Sequence, residues 1–420
     1  MIEIKSLSQK NALITVPGSK SYTQRAMIMA ALAEGNSLLR GPLISEDTSY
    51  LAEALRLLGA GLESRNGDLL VQGTAGRISR PPKAIYLGYN GTAMRLLTTV
   101  VCLGQGEFLL TGAPRLLERP LQPLLTALRT LGVKAASQGK PGFPPVLIEA
   151  NGLQGGKVTL KNIESSQYIS SLLISAPLAG GDFTLKIEGP IPSLPYVEMT
   201  VAQMKQFGVE VTRENKNCFF IEGRQKYQGI DCRIEGDVSS ASYFFLAASL
   251  GRGTIRVRPI FSETLQGDIR FIRILERLGC TISHGDHWLE VSGEKLISGD
   301  LVFDLGDMPD MVPTLAILAA CRPGRTIITN VAHLRIKESN RLDALARELA
   351  KTGIKAEETK DGLIIDGGKP HGAEIDTYND HRIAMSFAVL GLVVPGIKIK
   401  DPDCVKKSFP GFWEELRKLY

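Results

Sequence analysis

The pattern of hydrophobic and polar positions repeats along the chain. Five times, a stretch with apolar residues at helical spacing ends in a glycine and continues into a short β-branched segment. The glycines, 73, 76, 71 and 74 residues apart, are Gly59, Gly132, Gly208, Gly279 and Gly353. Glycine commonly ends a helix because it adopts the left-handed conformation without steric cost. Each stretch therefore predicts an amphipathic helix that turns into a strand.

A second apolar strand is predicted after each of these helices. The five segments are 69–73, 146–152, 219–223, 288–293 and 363–367. The turns before them include Asn66-Gly67 and Asp361-Gly362, and these residue types tolerate the positive φ angles of tight hairpin turns. The pattern therefore predicts five β-hairpins.

A long apolar helix opens each repeat, and polar residues precede it. The approximate starts, spaced by 70 to 74 residues, are Ser19, Thr92, Ser165, Ser239, Asp310 and Asp380. The chain is thus predicted to contain six repeats of about 70 residues. Each repeat would hold a strand, a buried helix, a second strand, an amphipathic helix and a hairpin. The second helix of the last repeat is expected at 412–420.

Six such repeats are too many for one hydrophobic core, which rarely exceeds about 250–300 residues. We therefore expect an α/β fold with two pseudo-symmetric domains of three repeats each. The first domain would span 18–236, and the second would combine 1–17 with 237–420. The segment 1–17 is expected to supply a leading strand to the second domain, since a circular arrangement of repeats leaves one strand position open.

The composition of the chain excludes several classes of function. Hydrophobic residues make up 44% of the chain and charged residues 22%, as in soluble globular proteins. The longest apolar run, 311–321, is about half of the ~20 residues of a membrane span, and no secretory signal pattern is visible. A dispersed net charge of +5 argues against nucleic acid and suits a small anionic substrate. We therefore expect a cytoplasmic protein without membrane or nucleic-acid partners.

Metal sites are not expected. The six cysteines lie too far apart for a CxxC pair, and we interpret them as reduced thiols. His284 and His287 flank Gly and Asp, which indicate a turn and not a helix that carries metal ligands.

Cations cluster near the predicted starts of helices. By the helix dipole, Lys and Arg favour C-termini, so their repeated placement at N-termini indicates bound anions. The cations are Lys20, Arg25, Arg95, Arg119, Lys337, Arg341, Arg382 and Lys407. Lys337 and Arg341 are four residues apart and are expected to share a helix face. At any single helix, ordinary capping by polar residues is the alternative explanation.

Carboxylates accompany these cations. Asp310, Glu338 and Asp380 lie in the same segments, and carboxylates among cations can serve as acids or bases. An ion-pair framework is the alternative for these carboxylates, more so for Asp380 than for Asp310. Gln167 is neutral and could bind either a phosphate or a hydroxyl. The chain lacks a complete phosphate loop, a dinucleotide fingerprint and a Gly-x-Ser-x-Gly elbow.

The candidate residues lie in short motifs that follow one another along the whole chain. The motifs are Pro17-Gly-Ser-Lys-Ser21, Gly91-Thr-Ala-Met-Arg95, Arg119-Pro120, Ser165-Ser-Gln167, Asp237-Val-Ser-Ser240, Pro309-Asp310, Arg335-Ile-Lys-Glu-Ser-Asn-Arg341, Asn379-Asp-His-Arg382 and Lys407-Ser-Phe-Pro410. In this order they closely resemble the 5-enolpyruvylshikimate-3-phosphate synthase family. The resemblance implies a two-domain inside-out α/β barrel with its active site in the interdomain cleft. The reaction that it implies needs no redox centre or nucleotide, so we expect no cofactor, and we expect a monomer.

The resemblance further implies a role for each candidate. Shikimate-3-phosphate would be bound by Lys20, Ser21, Arg25, Ser165, Ser166, Gln167, Ser193, Asp310 and Lys337. Phosphoenolpyruvate would be bound by Lys20, Gly91, Arg119, Gln167, Arg341, Arg382 and Lys407. Asp310 resembles the base for the attacking hydroxyl, and Glu338 with Lys20 resembles the proton shuttle. Arg95, Asp380 and His381 would support them. Glyphosate would compete with phosphoenolpyruvate, and Gly91 predicts a sensitive enzyme.

The chain departs from the family pattern at three positions. Tyr89 replaces an Asn in the turn before Gly91, Leu96 stands where Pro is common, and His333 stands where Asn often contacts the phosphate. Two alternatives stay open. One is the sister transferase that acts on UDP-N-acetylglucosamine, although the loop 112–119 lacks its cysteine. The other is a non-catalytic anion-binding repeat protein.

Overall fold

The computed structural model describes residues 1–420, and the chain divides into two compact units. The first unit is Gly18–Ile234, and the second unit combines Met1–Pro17 with Glu235–Tyr420. Each unit has its own continuous hydrophobic core. The chain thus crosses between units at 17–18 and at 234–235, and the second crossing lies two residues before the expected position.

Helices and strands are numbered here in chain order. The helices are α1 Lys20–Leu32, α2 Glu46–Leu57, α3 Gly91–Val100, α4 Pro114–Leu117, α5 Gln122–Thr130, α6 Gln167–Ser175, α7 Pro195–Gln206, α8 Val238–Gly251, α9 Phe271–Arg277, α10 Val312–Ala320, α11 Arg341–Lys351, α12 His381–Val393 and α13 Phe412–Arg417. The strands are β1 Ile2–Glu3, β2 Asn11–Thr15, β3 Asn36–Arg40, β4 Gly61–Arg65, β5 Asp68–Gln72, β6 Ile85–Tyr86, β7 Gln105–Thr111, β8 Lys134–Ser137, β9 Val146–Asn151, β10 Gly156–Lys161, β11 Phe183–Glu188, β12 Thr212–Asn215, β13 Cys218–Ile221, β14 Asp231–Arg233, β15 Thr254–Arg258, β16 Thr281–Gly285, β17 Trp288–Ser292, β18 Leu301–Asp304, β19 Gly324–Thr329, β20 Lys355–Glu358, β21 Leu363–Gly367, β22 Glu374–Ile375 and β23 Lys398–Ile399.

Five of the six repeats build a four-stranded sheet of the same design. The strand orders are β14-β3-β5-β4, β6-β7-β9-β8 and β10-β11-β13-β12 in the first unit, and β2-β15-β17-β16 and β18-β19-β21-β20 in the second. In every sheet the first two strands are parallel and the remaining pairs are antiparallel. The five predicted hairpins are confirmed.

Strands distant in sequence complete the first sheet of each unit. β14, at the end of the first unit, pairs parallel with β3. β2, in the leading segment, pairs parallel with β15, with Ile14 opposite Val257. In the sixth repeat β1 pairs antiparallel with β23, in the place that a hairpin strand takes in the other sheets. The leading segment therefore contributes a strand to two sheets of the second unit.

The six opening helices are α1, α3 and α6 in the first unit and α8, α10 and α12 in the second. Nearly every residue of each is buried, including polar ones. A helix that is apolar on all sides belongs in a core, so the cores of both units are built around these helices. The predicted starts fall within two residues of the observed ones. No helix combines the length and apolar character that a membrane span requires.

The amphipathic helices end as the glycine pattern predicts. All five glycines have positive φ, from 81° at Gly132 and Gly353 to 106° at Gly59. A left-handed residue satisfies the last carbonyls of a helix and turns the chain toward the next strand. The predicted last helix is observed as α13.

Candidate active site

The candidate residues form two clusters, one in each unit. The first cluster surrounds the N-termini of α1, α3 and α6 and contains Lys20, Ser21, Arg25, Gly91, Arg95, Arg119, Ser165, Ser166, Gln167 and Ser193. The second cluster surrounds the N-termini of α10, α11 and α12 and contains Asp310, Lys337, Glu338, Arg341, Asp380, His381, Arg382 and Lys407. Polar side chains there are packed against one another at the ends of apolar helices, and most of them are buried.

Lys20 is the first residue of α1 and lies beside a buried acid. Its Nζ is 3.4 Å from Oδ2 of Asp47, whose side chain is 4% exposed. The backbone carbonyl of Asp47 accepts a hydrogen bond from Nδ2 of Asn90 at 2.8 Å. Asn90 in turn caps α3 by accepting from the backbone N–H of Ala93. Asp47 therefore connects Lys20 to the start of α3. The sequence shows Asp47 only as an ordinary acid in the first turn of a helix, and we did not predict this role.

Arg25 is a fully buried cation with neutral acceptors. Its guanidinium donates to Thr200 Oγ1 at 2.7 Å, to the carbonyl of Ser21 at 3.0 Å and to Ser170 Oγ at 3.3 Å. It also lies over the ring of Tyr196 at 5.9 Å. Burial lowers the pKa of Arg25 to about 10, so it stays protonated at neutral pH. A buried charge that meets only neutral groups is stabilised when an anion binds next to it.

Arg95 orients the side chain of Gln167. Its Nη1 donates to Gln167 Oε1 at 2.8 Å, and Gln167 Nε2 donates to Thr92 Oγ1 at 2.9 Å. The guanidinium also lies over the ring of Tyr168 at 5.5 Å. These two bonds fix which end of the Gln167 amide is the donor. Arg95 therefore links α3 to α6 and sets the hydrogen-bonding direction of a candidate ligand residue.

Arg119 lies against the first turn of α3. It is 6% exposed, and its guanidinium is so close to Gly91 that a side chain at position 91 would overlap it. The sequence pattern placed Arg119 at the start of a helix. The structure places it in the connection between α4 and α5, three residues before α5 begins at Gln122.

Three serines complete the first cluster. Ser166 precedes α6, is 5% exposed and makes no side-chain capping bond. Ser165 Oγ accepts from the backbone N–H of Gln167 at 3.3 Å. Ser193 has φ of +53°, a left-handed conformation, and lies just before α7. The N-terminus of α6 thus carries hydroxyl groups beside its backbone N–H groups, which is an arrangement suited to anions.

Arg341 is the centre of the second cluster. Its side chain is 1% exposed and forms ion pairs with Asp310 at 2.9 Å, Glu338 at 2.7 Å and Asp380 at 2.8 Å. Burial opposes the charge, but the three carboxylates outweigh it and raise the pKa of Arg341 above its ordinary value. One guanidinium therefore fixes three acidic side chains.

Asp310 is held between two arginines. Its Oδ1 accepts from Arg341 Nη1 at 2.9 Å and its Oδ2 from Arg382 Nη2 at 2.7 Å. Burial raises the pKa of Asp310, but Arg382, Arg341 and Lys337 more than compensate and hold it below its ordinary value. Asp310 is therefore ionised across the neutral range, in a form that can accept a proton from a bound hydroxyl.

Glu338 forms ion pairs with two cations. Its Oε2 is 2.7 Å from Arg341 Nη2 and its Oε1 is 3.6 Å from Lys407 Nζ. Lys337, beside it, has an extended backbone, and α11 begins only at Arg341. The prediction that Lys337 and Arg341 share a helix face is therefore wrong. The segment Glu338–Asn340 forms the approach to the helix, and Asn340 caps it by accepting from Asp343 N.

The carboxylate of Asp380 holds neighbouring groups of the second cluster in place through hydrogen bonds. It is fully buried and accepts from Ser339 Oγ at 2.9 Å, from Arg341 and from the backbone N–H of Arg382 at 3.0 Å. His381 begins α12 and is 1% exposed. Asp380 thus connects the starts of α11 and α12.

Two further titratable groups of the second unit interact electrostatically with this cluster. Burial, and next the charge of Lys337, lower the pKa of His333 to about 4, so it is neutral at pH 7. Burial, and next the charge of Asp310, raise the pKa of Asp268 to about 7. Asp268 accepts a hydrogen bond from Ser239 Oγ and has one oxygen without a partner. We did not predict Asp268, because nothing in its local sequence marks it as buried.

Tyr89 and Leu96, the other two departures from the family pattern, fit the structure without disturbing it. The turn at Tyr89 still delivers Asn90 to cap α3, and Gly88 before it has φ of +53°. Leu96 is fully buried in the core of the first unit. Neither substitution interrupts the helix that begins at Gly91. No group of three or more His, Cys, Asp or Glu side chains is arranged to bind a metal ion.

Fold and clusters together define a class of protein: a two-unit α/β protein of six repeats, with cations gathered near the starts of several helices. A family model described as EPSP synthase (3-phosphoshikimate 1-carboxyvinyltransferase) matches residues 4–416. The chain belongs to this family.

Relatives and solved structures of the same family are similar to this chain over nearly its whole length. A protein of Syntrophobacter fumaroxidans named 3-phosphoshikimate 1-carboxyvinyltransferase is 44% identical over 99% of both chains. One of the same name from Nostoc punctiforme is 41% identical over 98% of this chain and 97% of its own. An EPSP synthase structure from Acinetobacter baumannii superposes with a TM-score of 0.83 at 28% identity, covering 99% of this chain and 97% of that one. The predicted fold class is confirmed.

Proposed function

We propose that this chain transfers the enolpyruvyl group of phosphoenolpyruvate to the 5-hydroxyl of shikimate-3-phosphate and releases phosphate. This reaction serves the synthesis of chorismate and the aromatic amino acids. The observation that carries the proposal is the ionised state of Asp310, which accepts hydrogen bonds from Arg341 and Arg382. Arg341 also donates to Glu338, so the two carboxylates share one cationic partner. A base and a second carboxylate fixed by one cationic group are what an addition–elimination reaction needs.

The first cluster supplies most of the proposed shikimate-3-phosphate ligands. Arg25 has the buried, uncompensated charge that a phosphate or carboxylate would neutralise. We assign the hydroxyl and amide contacts to Ser21, Ser165, Ser166, Gln167 and Ser193. Lys20, Asp310 and Lys337 complete the set. Hydroxyl donors at a helix start favour a phosphate because its oxygens accept several hydrogen bonds.

Phosphoenolpyruvate is assigned to the remaining cations. Arg119, Arg341, Arg382 and Lys407 would bind its phosphate and carboxylate together with Lys20, Gly91 and Gln167. Two anionic substrates repel each other, and a dense cationic lining is needed to bring their reacting atoms within contact. Arg341 and Arg382 are already oriented by Asp310 and Asp380, so little reorganisation is required.

The proposed chemistry proceeds in two steps. Asp310 accepts the proton of the 5-hydroxyl, whose oxygen forms a bond to the central carbon of phosphoenolpyruvate, while Glu338 and Lys20 deliver a proton to the methylene carbon. The tetrahedral intermediate then loses the phosphate group from the former central carbon of phosphoenolpyruvate. A proton leaves the newly formed methyl group at the same time. The double bond is restored, and the products are the enolpyruvyl ether and phosphate. No electrons are exchanged with a cofactor, so we propose none.

We propose that the enzyme acts as a monomer in the cytoplasm. All six cysteines are free thiols, and Cys102, Cys280 and Cys404 are buried. Unpaired buried thiols are consistent with a reducing compartment.

An acceptor comparison tests the proposal. Phosphate release is measured with phosphoenolpyruvate alone, with added shikimate-3-phosphate and with added UDP-N-acetylglucosamine. We expect turnover only with shikimate-3-phosphate. Turnover with the nucleotide sugar would favour the sister reaction. Binding of both proposed substrates without any phosphate release would favour the non-catalytic alternative.

A further inference from the structure

Glu348 is a buried carboxylate on α11 to which the proposed chemistry assigns no role. Its side chain is fully buried, and both of its carboxylate oxygens accept hydrogen bonds. Tyr378 Oη donates to Oε1 at 2.6 Å, and Oε2 accepts from the backbone N–H of Asp376 at 3.0 Å and from Lys351 Nζ at 2.7 Å. Two of the three donors lie in the segment that leads into α12.

That segment has an unusual backbone. Tyr378 and Asn379 both have φ of +53°, the left-handed conformation that side chains other than Gly rarely adopt. Asn tolerates it through local hydrogen bonds, whereas Tyr does not. Two consecutive residues in this conformation persist only where their surroundings hold them. The bond from Tyr378 Oη to Glu348 is a side-chain contact that holds the first of them.

The turn delivers the ligand residues that follow it. The backbone N–H of Asp380 donates to the carbonyl of Thr377 at 2.8 Å, which closes the turn. Asp380 then caps α12 through the backbone N–H of Arg382. The place of the turn therefore determines where the carboxylate of Asp380 and the guanidinium of Arg382 lie.

α11 is attached to this turn at two levels. Arg341, in its first turn, bonds to Asp380, and Glu348, seven residues later, bonds to Tyr378 and Asp376. Seven residues are about two helical turns, so both side chains leave the same face of α11. The two attachments together fix the turn relative to the helix that carries Arg341.

We propose that Glu348 and Tyr378 form a positioning pair that holds the 376–380 turn and thereby places Asp380 and Arg382 for binding phosphoenolpyruvate. The inference rests on the proposed function of Arg382 as a ligand of that substrate. Neither member of the pair belongs to the proposed ligand set. If the pair positions the turn, its loss should raise the KM for phosphoenolpyruvate in addition to any effect on the stability of the fold.

Tyr378→Phe is the sharpest test, because it removes one hydroxyl and keeps the ring. We expect the KM for phosphoenolpyruvate to rise about tenfold while the KM for shikimate-3-phosphate stays within about twofold. Glu348→Gln should act in the same direction, since an amide cannot accept from all three donors. In the double variant the KM should be no higher than in the more severe single variant, because both changes remove one contact.

A matched control is Tyr227→Phe in the first unit. Tyr227 is fully buried, and its hydroxyl donates to the carbonyl of Ile174 at 2.9 Å. This variant also loses one tyrosine hydroxyl bond, to a neutral carbonyl at a more deeply buried position away from both clusters, so we expect a lower Tm and unchanged KM values. Tyr378→Phe with a wild-type KM for phosphoenolpyruvate, or with a lowered Tm as its only effect, overturns the positioning pair.

Arg382→Lys separates this inference from the function on which it rests. If Arg382→Lys raises the KM for phosphoenolpyruvate and Tyr378→Phe does not, the positioning pair is refuted and the ligand assignment holds. If Tyr378→Phe raises that KM and Arg382→Lys does not, the pair positions a different ligand. The proposed role of Arg382 is then wrong.

Discussion

The guanidinium of Arg119 occupies the space that a side chain on Gly91 would need. A methyl carbon at position 91 would lie 2.5 Å from Arg119 Cζ and 2.9 Å from Nη2, closer than van der Waals contact permits. Arg119 is 6% exposed, and a side chain at position 91 would force its guanidinium out of this place. The glycine is therefore what allows Arg119 to reach the first turn of α3.

Gly91→Ala should displace Arg119 and weaken binding of phosphoenolpyruvate. We expect its KM to rise about tenfold or more, because a displacement of about 1 Å at a substrate-binding group can cost two orders of magnitude in rate. Inhibition by glyphosate, which we expect to compete with phosphoenolpyruvate, should weaken as well. Initial rates at varied substrate and inhibitor concentrations measure both effects.

Gly139→Ala is the matched control for this substitution. A methyl group there meets no atom within 4 Å, and the backbone does not have a positive φ. Its kinetics should equal those of the wild type. A Gly91→Ala enzyme with an unchanged KM for phosphoenolpyruvate would show that Arg119 does not bind this substrate.

Lys20→Met should reduce turnover by about a thousandfold or more, since it removes a cation from the reacting groups. It should also lower the free energy of unfolding by about 1–3 kcal/mol, because the buried Asp47 loses its partner. Both quantities can be measured, by steady-state kinetics and by denaturant unfolding.

The double variant Lys20→Met/Asp47→Asn separates the two effects. Neutralising Asp47 should restore much of the stability and none of the activity. If activity returned with stability, Lys20 would be a structural partner of Asp47 and not a catalytic group.

Arg25→Met should abolish the stabilisation that shikimate-3-phosphate gives the protein. A ligand that binds only the folded state raises Tm, and Arg25 is the buried cation assigned to that ligand. Arg322→Met is the matched control. Arg322 is also 1% exposed and donates to Thr326 and to backbone carbonyls, but it lies in neither cluster. It should lower Tm and keep the ligand-induced increase. An unchanged increase in Arg25→Met would contradict the assignment.

Asp268 should make stability depend on pH. Its carboxyl stays protonated to about pH 7 in the folded protein, whereas an unfolded chain releases this proton near pH 4. The folded state therefore binds more protons in this window, and the contribution of Asp268 to stability falls as pH rises through it. Relative to wild type, Asp268→Asn should gain stability between pH 4 and pH 8, by an amount on the order of a few kcal/mol. Urea unfolding at several pH values tests this, and a difference that does not change with pH would contradict it.

Local sequence determined most of the fold, because the six repeats carry the same signals. Glycines with positive φ, hairpin turns and helices buried on all sides follow from residue type and spacing alone. The error at Lys337 has a physical reason. A spacing of four residues implies a shared face only when both residues lie inside the same helix. Asn340 caps α11, so Lys337 lies before the helix begins.

The residues gathered in the two clusters were predictable where they lie in a motif. Asp47 and Asp268 were not, because their importance arises from burial beside groups distant in sequence. Asp47 meets Lys20 across 27 positions, and Asp268 faces Asp310 across 42. Glu348 likewise accepts a hydrogen bond from Tyr378, 30 positions away. Contacts of this kind depend on how the helices pack, which hydrophobic periodicity does not specify.

Identification of the products tests the central claim most directly. The enzyme is incubated with phosphoenolpyruvate and shikimate-3-phosphate, and the mixture is analysed by phosphorus NMR and mass spectrometry. The account predicts one phosphate for each enolpyruvyl ether of shikimate-3-phosphate, and neither product when either substrate is omitted. Release of phosphate from phosphoenolpyruvate without the ether, or the absence of both products with a folded enzyme that binds both substrates, would contradict it.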